Sequence, residues 1–229
     1  MCGRFTITLD GLNLQADLGL GDFDEVWQPR YNVAPSQGVP VVVDAELRNV
    51  SMMRWGLVPA WAKDETIGYR LINARSETLI EKPSFRSSFK SRRCLILADG
   101  FYEWKPAVPG KKGNSQPYYF FLKDKKPFSF AGLWDKWTDK ISGRELLTCT
   151  IITTGANGLV SPVHGRMPVI LDKEHMWDWL APESLIFLQS LLRPYDEGNM
   201  ACYPVSKRIN DPKVDIVECI ERQPGLFMG

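Results

Sequence analysis

The 229-residue chain begins Met1-Cys2-Gly3-Arg4-Phe5. If Met1 is removed, Cys2 carries a free α-amine and a free thiol on adjacent carbons, a 1,2-aminothiol. Such a pair attacks an aldehyde in two stages. The amine condenses to an imine, and the thiol then adds to the imine carbon and closes a five-membered ring. Only an N-terminal cysteine offers both groups at that distance; an internal one such as Cys94 has its nitrogen locked in an amide. An α-amine with a pKa of about 7.7–8.0 is partly neutral near pH 7, whereas a lysine at about 10.4 is almost fully protonated. The thiol, near ~8.5 unperturbed, would be lowered by a neighbouring cation such as Arg4 or by a helix N-terminus.

Other short segments also concentrate chemistry. "INARSET" (72–78) gathers an amide, a guanidinium, a hydroxyl and a carboxylate. "DGFYEW" (99–104) ends an apolar run with Glu103 between two aromatics, and "SPVHGRMP" (161–168) places His164 in a turn before Arg166. "YNVAP" (31–35) is extended, because Pro35 pushes Ala34 toward β or polyproline geometry. "RWGLVPAW" (54–61) sets Trp55 and Trp61 around a glycine and a proline. Polar residues in turns at strand ends are where sites tend to lie. Each also has a plain structural reading: Asn73 as a turn cap, Glu103 as a solvent-facing strand end, His164 bonded to a backbone carbonyl. Arg75 and Arg166 equally suit ion pairs, Trp55, Trp61 and Trp104 suit a core, and His175 suits a structural role.

The elements that must position these residues are mostly strands. Runs at 39–47, 49–57, 92–105, 117–124, 128–137 and 146–154 are rich in β-branched and aromatic residues and end at Gly, Pro, Asp or Lys. The stretch 117–154 reads as an antiparallel meander. Helical patterns are weak over "TLDGLNLQADLGL" and short over 82–90, where Pro83 suits the first turn. Segment 172–182 reads as a helix capped by Asp172, and 182–192 as an amphipathic one. The loop 105–117 reads as an exposed hairpin connection, and about 220–229 as a loose tail. The expected fold is a single α+β domain over 1–229, with a β-rich, barrel-like core of mostly antiparallel strands flanked by short helices.

Composition narrows the class. A net charge of +1 excludes a strongly basic DNA binder, so positive charge for nucleic acid must be local. Such a patch exists: Arg54 to Arg93 holds nine Lys or Arg against four acids, interleaved with aromatics. That combination suits single-stranded nucleic acid and equally suits a solvated basic face. Five cysteines with no CxxC pair, and only two histidines, argue against a disulfide framework and against a metal site. With no signal-peptide pattern and no long apolar run, a reducing, cytoplasmic setting is expected.

"MCGRF", "YNVAP", "WGLVPAW", "INARSET", "ADGFYEW" and "HGRMP" occur in this order. Together they resemble the SOS-response-associated peptidase family of abasic-site processing proteins, from residue 1 to about "CYPVSKRIND" (202–211). The resemblance implies a monomer that binds single-stranded DNA and single/double-strand junctions, nucleoid-associated if bacterial, with no metal or cofactor. It implies loss of Met1 and covalent capture of the ring-opened abasic sugar by Cys2 as a thiazolidine, with lyase-type chemistry alongside. It assigns catalytic roles to Cys2, Asn73, Glu103 and His164. It implies phosphate contacts for Arg4, Arg75 and Arg166, and a DNA path lined by Pro35 and Trp61. In that scheme His164 donates a proton to the sugar ring oxygen, Glu103 accepts protons from the amine and thiol, and Asn73 holds the sugar or the new linkage. Two alternatives stay open: a thiol peptidase built on Cys2, His164 and Glu103, acting on Met1 or on other proteins, and a non-covalent single-strand binding module.

Overall fold

The computed structural model describes residues 2–22, 27–107 and 115–223. Its strands, in chain order, are β1 (Phe5–Ile7), β2 (Arg30–Val33), β3 (Gly38–Val42), β4 (Val50–Trp55), β5 (Asn73–Arg75), β6 (Arg93–Ala98), β7 (Gly100–Lys105), β8 (Gln116–Leu122), β9 (Phe128–Thr138), β10 (Glu145–Gly155), β11 (Arg166–Pro168), β12 (Ile170–Leu171) and β13 (Met200–Pro204). Three helices are α1 (Gly11–Leu18), α2 (Pro83–Ser91) and α3 (Leu185–Ser190).

The long, alternating β9 and β10 form an antiparallel hairpin from Glu145↔Thr138 to Ile151↔Gly132. From it the order β10-β4-β3-β6-β9 closes on itself as a five-stranded barrel. Trp55, Ile96, Phe130 and Ile151 share one face of its strands and are buried, with Phe5 of the second sheet edge-on to Trp55 and Phe130. A second sheet, β13-β8-β7-β1-β2, lies against it. The barrel is mostly antiparallel, as expected, but β4 and β5 both run parallel to β10.

The apolar run 92–105 is two strands in two sheets, broken at Asp99. This buried carboxylate accepts from the Thr6 and Thr8 hydroxyls (2.5 and 2.6 Å) and from the Thr8 amide, so it stitches β1 across the bend. Burial pushes its carboxyl pKa up despite those donors. The next residue must be Gly100, since a Cβ there would sit 2.3 Å from the Tyr119 ring. In the Trp55-Gly56-Leu57 turn, Gly56 has φ +128 and its Cα lies against the Gly68 backbone, which again leaves room only for glycine.

Two sequence expectations need correction. Residues 117–154 are not one meander: β8 pairs with β7 and β13, while β9 belongs to the barrel, because the turn through Lys125 (φ 61) carries the chain from one sheet to the other. Residues 172–182 form successive turns rather than a helix. The carbonyls of Trp179 and Ala181 are taken by the Arg93 guanidinium (2.7 and 2.8 Å), and the Trp179 indole N–H donates into the barrel at the Cys94 carbonyl, 3.1 Å. Asp172 faces Arg193 at 3.3 Å instead of capping a helix. The other helices form where expected, with Asp10 capping α1, Pro83 opening α2 and Ser184 capping α3. The flanks of the 105–117 loop pair through Lys105↔Gln116; its segment 108–114 lies outside the described residues. At the far end, the Gln223 amide donates to the Pro204 carbonyl at 2.9 Å, and 224–229 lie outside the described residues.

No helix among the described residues is long and apolar enough to cross a membrane. All five cysteines are free.

Arg93 donates to four carbonyls, those of Phe89, Lys90, Trp179 and Ala181, and thereby ties α2 and the 172–181 turns to β6. Arg93→Leu leaves these acceptors without their donor and is expected to destabilise the fold by about 3 kcal/mol, read from urea unfolding.

Candidate active site

β10 is the spine of the site. On one edge it takes β4 at Cys149 and then β5 at Ile151 to Thr153; on the other it takes β9 and then β11 at Thr153 to Gly155. Asn73 therefore pairs with Ile151, and Arg166 with Gly155. The Trp55 indole N–H donates to the Ile72 carbonyl (2.8 Å), fixing the chain as it enters β5.

Asn73 reaches from β5 to the chain terminus. Its Nδ2 donates to the Cys2 carbonyl at 2.7 Å, and its Oδ1 is buried with no hydrogen-bond partner among the described residues. Cys2 is fully buried, with Sγ 3.7 Å from the Arg4 carbonyl. Burial pushes the thiol pKa well up, and the Glu103 charge adds to the rise. This is the reverse of the lowering expected from Arg4, whose guanidinium points elsewhere. Arg4 donates to Asn32 Oδ1 (2.8 Å) and to the carbonyls of Ile209 and Asn210. Its donors are spent inside the protein, and burial lowers its pKa.

Glu103 arrives on β7, which pairs with β1. It is 2% exposed, and burial pushes its carboxyl from 4.5 to about 7. His164 closes a turn whose amide donates to the Val160 carbonyl, and its Nδ1 stands 3.9 Å from Glu103 Oε1. The same Nδ1 lies 3.1 Å from the Arg166 amide and 3.0 Å from the Arg166 carbonyl. The neutral ring accepts from the amide; a protonated ring donates to the carbonyl. Burial lowers the His164 pKa. Burial thus favours the neutral form of both members of the pair.

The structure thus brings Cys2, Asn73, Glu103 and His164 to one place from four separate elements. Arg75 is exposed on β5, two residues beyond Asn73, and Pro35 is half-buried in a tight turn beside Ser36 (φ 73). Trp61 is 58% exposed, although a core tryptophan would be covered. It borders a groove of about 520 Å³ shared with Arg86, Ser87 and Arg92. Trp55 does belong to the core.

A model of the SOS response associated peptidase (SRAP) family matches residues 1–212. The chain belongs to the SRAP family. This SRAP chain is 46% identical over 226 residues to abasic site processing protein YoqW of Bacillus subtilis, covering 96% of this chain and 99% of that protein. It is 31% identical to abasic site processing protein HMCES of Gallus gallus, covering 96% of this chain and 77% of that protein. A solved structure of a Bacteroides thetaiotaomicron protein superposes with a TM-score of 0.87 at 30% identity, over 97% of this chain and 100% of the other.

Two residues of the SRAP site had no role in the sequence reading. Asn32 is buried, and its Nδ2 faces the carbonyls of Ile209, Asp211 and Val214 (3.2, 3.1 and 2.7 Å), anchoring the chain beneath Arg4. Glu77 meets Arg166 in a two-pronged ion pair, 2.6 and 3.0 Å. The only local signal was position: both fall inside motifs, one in "YNVAP" and one in "INARSET".

A carboxyl whose pKa is higher in the folded than in the unfolded chain favours folding most when protonated. The Glu103 contribution to stability is then greatest below about 4.5, falls as pH climbs to about 7, and stays level above. Glu103→Gln, which cannot ionise, is expected to exceed the parent by on the order of 2 kcal/mol at pH 8, with the gap closing below pH ~4.5, read from denaturant midpoints across pH.

Proposed function

We propose that this chain processes abasic sites in DNA by covalent capture, with Cys2 as the capturing residue once Met1 is gone. The observation that carries this reading is the convergence of a buried carboxyl–imidazole pair and an amide on the second residue of the chain. Membership of a family whose relatives are named for abasic site processing supports it independently.

An abasic sugar is a hemiacetal in equilibrium with a little open-chain aldehyde. His164, partly open to solvent beside Glu103, is placed to protonate the ring oxygen as the ring opens. The Cys2 amine adds to the aldehyde carbon, and loss of one water gives the imine. Glu103 in its ionised form takes the proton released by the amine. The Cys2 thiol then adds across the C=N bond, its proton passing to nitrogen, and the thiazolidine closes. Net, one water is lost. Ring closure removes the imine, the electron sink that β-elimination and strand cleavage require, so lyase chemistry becomes the side path. Asn73 fixes the Cys2 carbonyl through its Nδ2, which leaves its Oδ1, without a partner among the described residues, to accept from a sugar hydroxyl.

Arg75 and Arg166 are the phosphate contacts in this reading, and Pro35 and Trp61 line the path of a single strand or of a single/double-strand junction. Arg4 belongs instead to the support beneath the site. The peptidase reading is weaker. A cysteine-protease nucleophile rests as a low-pKa thiolate, whereas the Cys2 thiol is buried, raised, and next to a carboxylate. In capture the amine attacks first, so a neutral thiol is sufficient. Excision of Met1 frees that amine.

After incubation with an abasic single strand, intact mass is expected to show the chain without Met1 plus the oligonucleotide minus one water. Cys2→Ala is expected to give no denaturant-stable adduct; an equally durable adduct from that variant sinks the thiazolidine reading. The parent's rate of adduct formation is expected to rise through about pH 7 as Glu103 ionises. Glu103→Gln should lose that limb and about 10²-fold in rate.

A further inference from the structure

Arg166 is held before any DNA arrives. Its Nη1 donates to Glu77 Oε1 at 2.6 Å and its Nη2 to Oε2 at 3.0 Å, a parallel fork of the kind a guanidinium also offers to phosphate. The same Nη2 donates to the Thr153 carbonyl at 2.6 Å, so the guanidinium is pinned to the end of β10 and cannot swing to meet a ligand. Glu77 is differently placed. It lies in the short turn Ser76–Thr78 after β5, its side chain is 53% exposed against 19% for Arg166, and besides the Arg166 fork its carboxylate takes its own backbone amide. The Arg166 fork holds its carboxyl below the usual range, and the Arg75 charge two residues back adds to this. One carboxylate, open to solvent, thus stands in the field of the two arginines read as phosphate contacts, on a guanidinium that is also tied to the Thr153 carbonyl.

The geometry points to Glu77 as a built-in phosphate surrogate: in the free protein its carboxylate fills the Arg166 fork, and an incoming backbone phosphate must displace it. This rests on the reading of Arg75 and Arg166 as DNA contacts. It makes Glu77 a specificity-determining residue. An undamaged strand, held by phosphate contacts alone, must compete with the internal carboxylate and dissociates readily. An abasic strand needs only a brief visit, because the covalent step then retains it. Neutralising Arg166 also lowers the local positive potential that would attract any nucleic acid.

The test is binding of an undamaged fluorescent single strand, by anisotropy across a salt series. Glu77→Gln is expected to bind about 3–10-fold tighter than the parent near 100 mM salt, with a log–log salt slope steeper by about 0.7, the increment for one more phosphate contact on a single strand. Glu77→Asp keeps the charge and should stay within twofold of the parent. Equal or weaker binding by Glu77→Gln means that Glu77 merely braces Arg166, and overturns the proposal. If Glu77→Gln does not fold, the unaltered protein still decides: the Glu77 carboxyl titration, followed by NMR, should move up when the strand saturates the protein, and an unmoved titration overturns the surrogate. Adduct formation by the parent with an abasic strand is scored separately. Its absence would refute the capture reading, while a failed Glu77 result with a normal adduct would refute the surrogate alone.

Discussion

The hydrogen bond from Asn73 Nδ2 to the Cys2 carbonyl, 2.7 Å long, is the constraint on which the site depends. A chain terminus is ordinarily the least ordered part of a domain. Here its second residue is fixed by an amide that is itself fixed by three residues of parallel pairing to the barrel's central strand. That pairing exists because Trp55 and Gly56 end β4 early, Gly56 donating to the Cys149 carbonyl at 2.8 Å, so that β10 continues with a free edge for β5. Remove this order and the terminal nitrogen and sulfur would sample many positions. The effective concentration on which the proposed capture relies would be lost with it.

Burial does two things to the same groups. It raises Glu103 into the neutral range and holds the Cys2 thiol protonated. The first makes a carboxylate able to take and return a proton near physiological pH. In the proposed capture, the second keeps the sulfur neutral until the imine forms beside it. A thiolate exposed at a chain terminus would be oxidised or alkylated; a covered thiol with a nearby base is protected and still competent. The positive charge of the region is likewise managed. Arg4 is turned inward onto Asn32 and two carbonyls, and Arg166 onto Glu77, so of the arginines read as DNA contacts Arg75 alone is exposed in the free protein.

Much of this was legible in the sequence, for physical reasons that differ by residue. Strands with β-branched and aromatic periodicity showed directly, and so did Pro83 at the start of α2. Cys2 stood out because its chemistry depends only on its place in the chain. Glu103, His164 and Asn73 could be nominated from motifs, but their meeting could not be read, since it follows from which strands share β10, a long-range property. Closure of the barrel and the split at Asp99 were hidden for the same reason: a run of apolar residues does not say that its halves enter different sheets. Segment 172–182 misled because its helical spacing is overridden by bonds to β6, Arg93 to the Trp179 and Ala181 carbonyls and the Trp179 indole to the Cys94 carbonyl, across 85 or more residues of chain. Arg4 misled because a charge beside a motif says nothing of its direction.

The most direct test of the account is a high-resolution structure of the Met1-processed chain joined to an abasic single strand. The account requires continuous density from the sugar's former aldehyde carbon to both the nitrogen and the sulfur of Cys2, with the Asn73 amide still on the Cys2 carbonyl and Glu103 beside the new ring. A sugar bonded to any other side chain, or a Cys2 carbonyl released from Asn73 in the bound state, contradicts it.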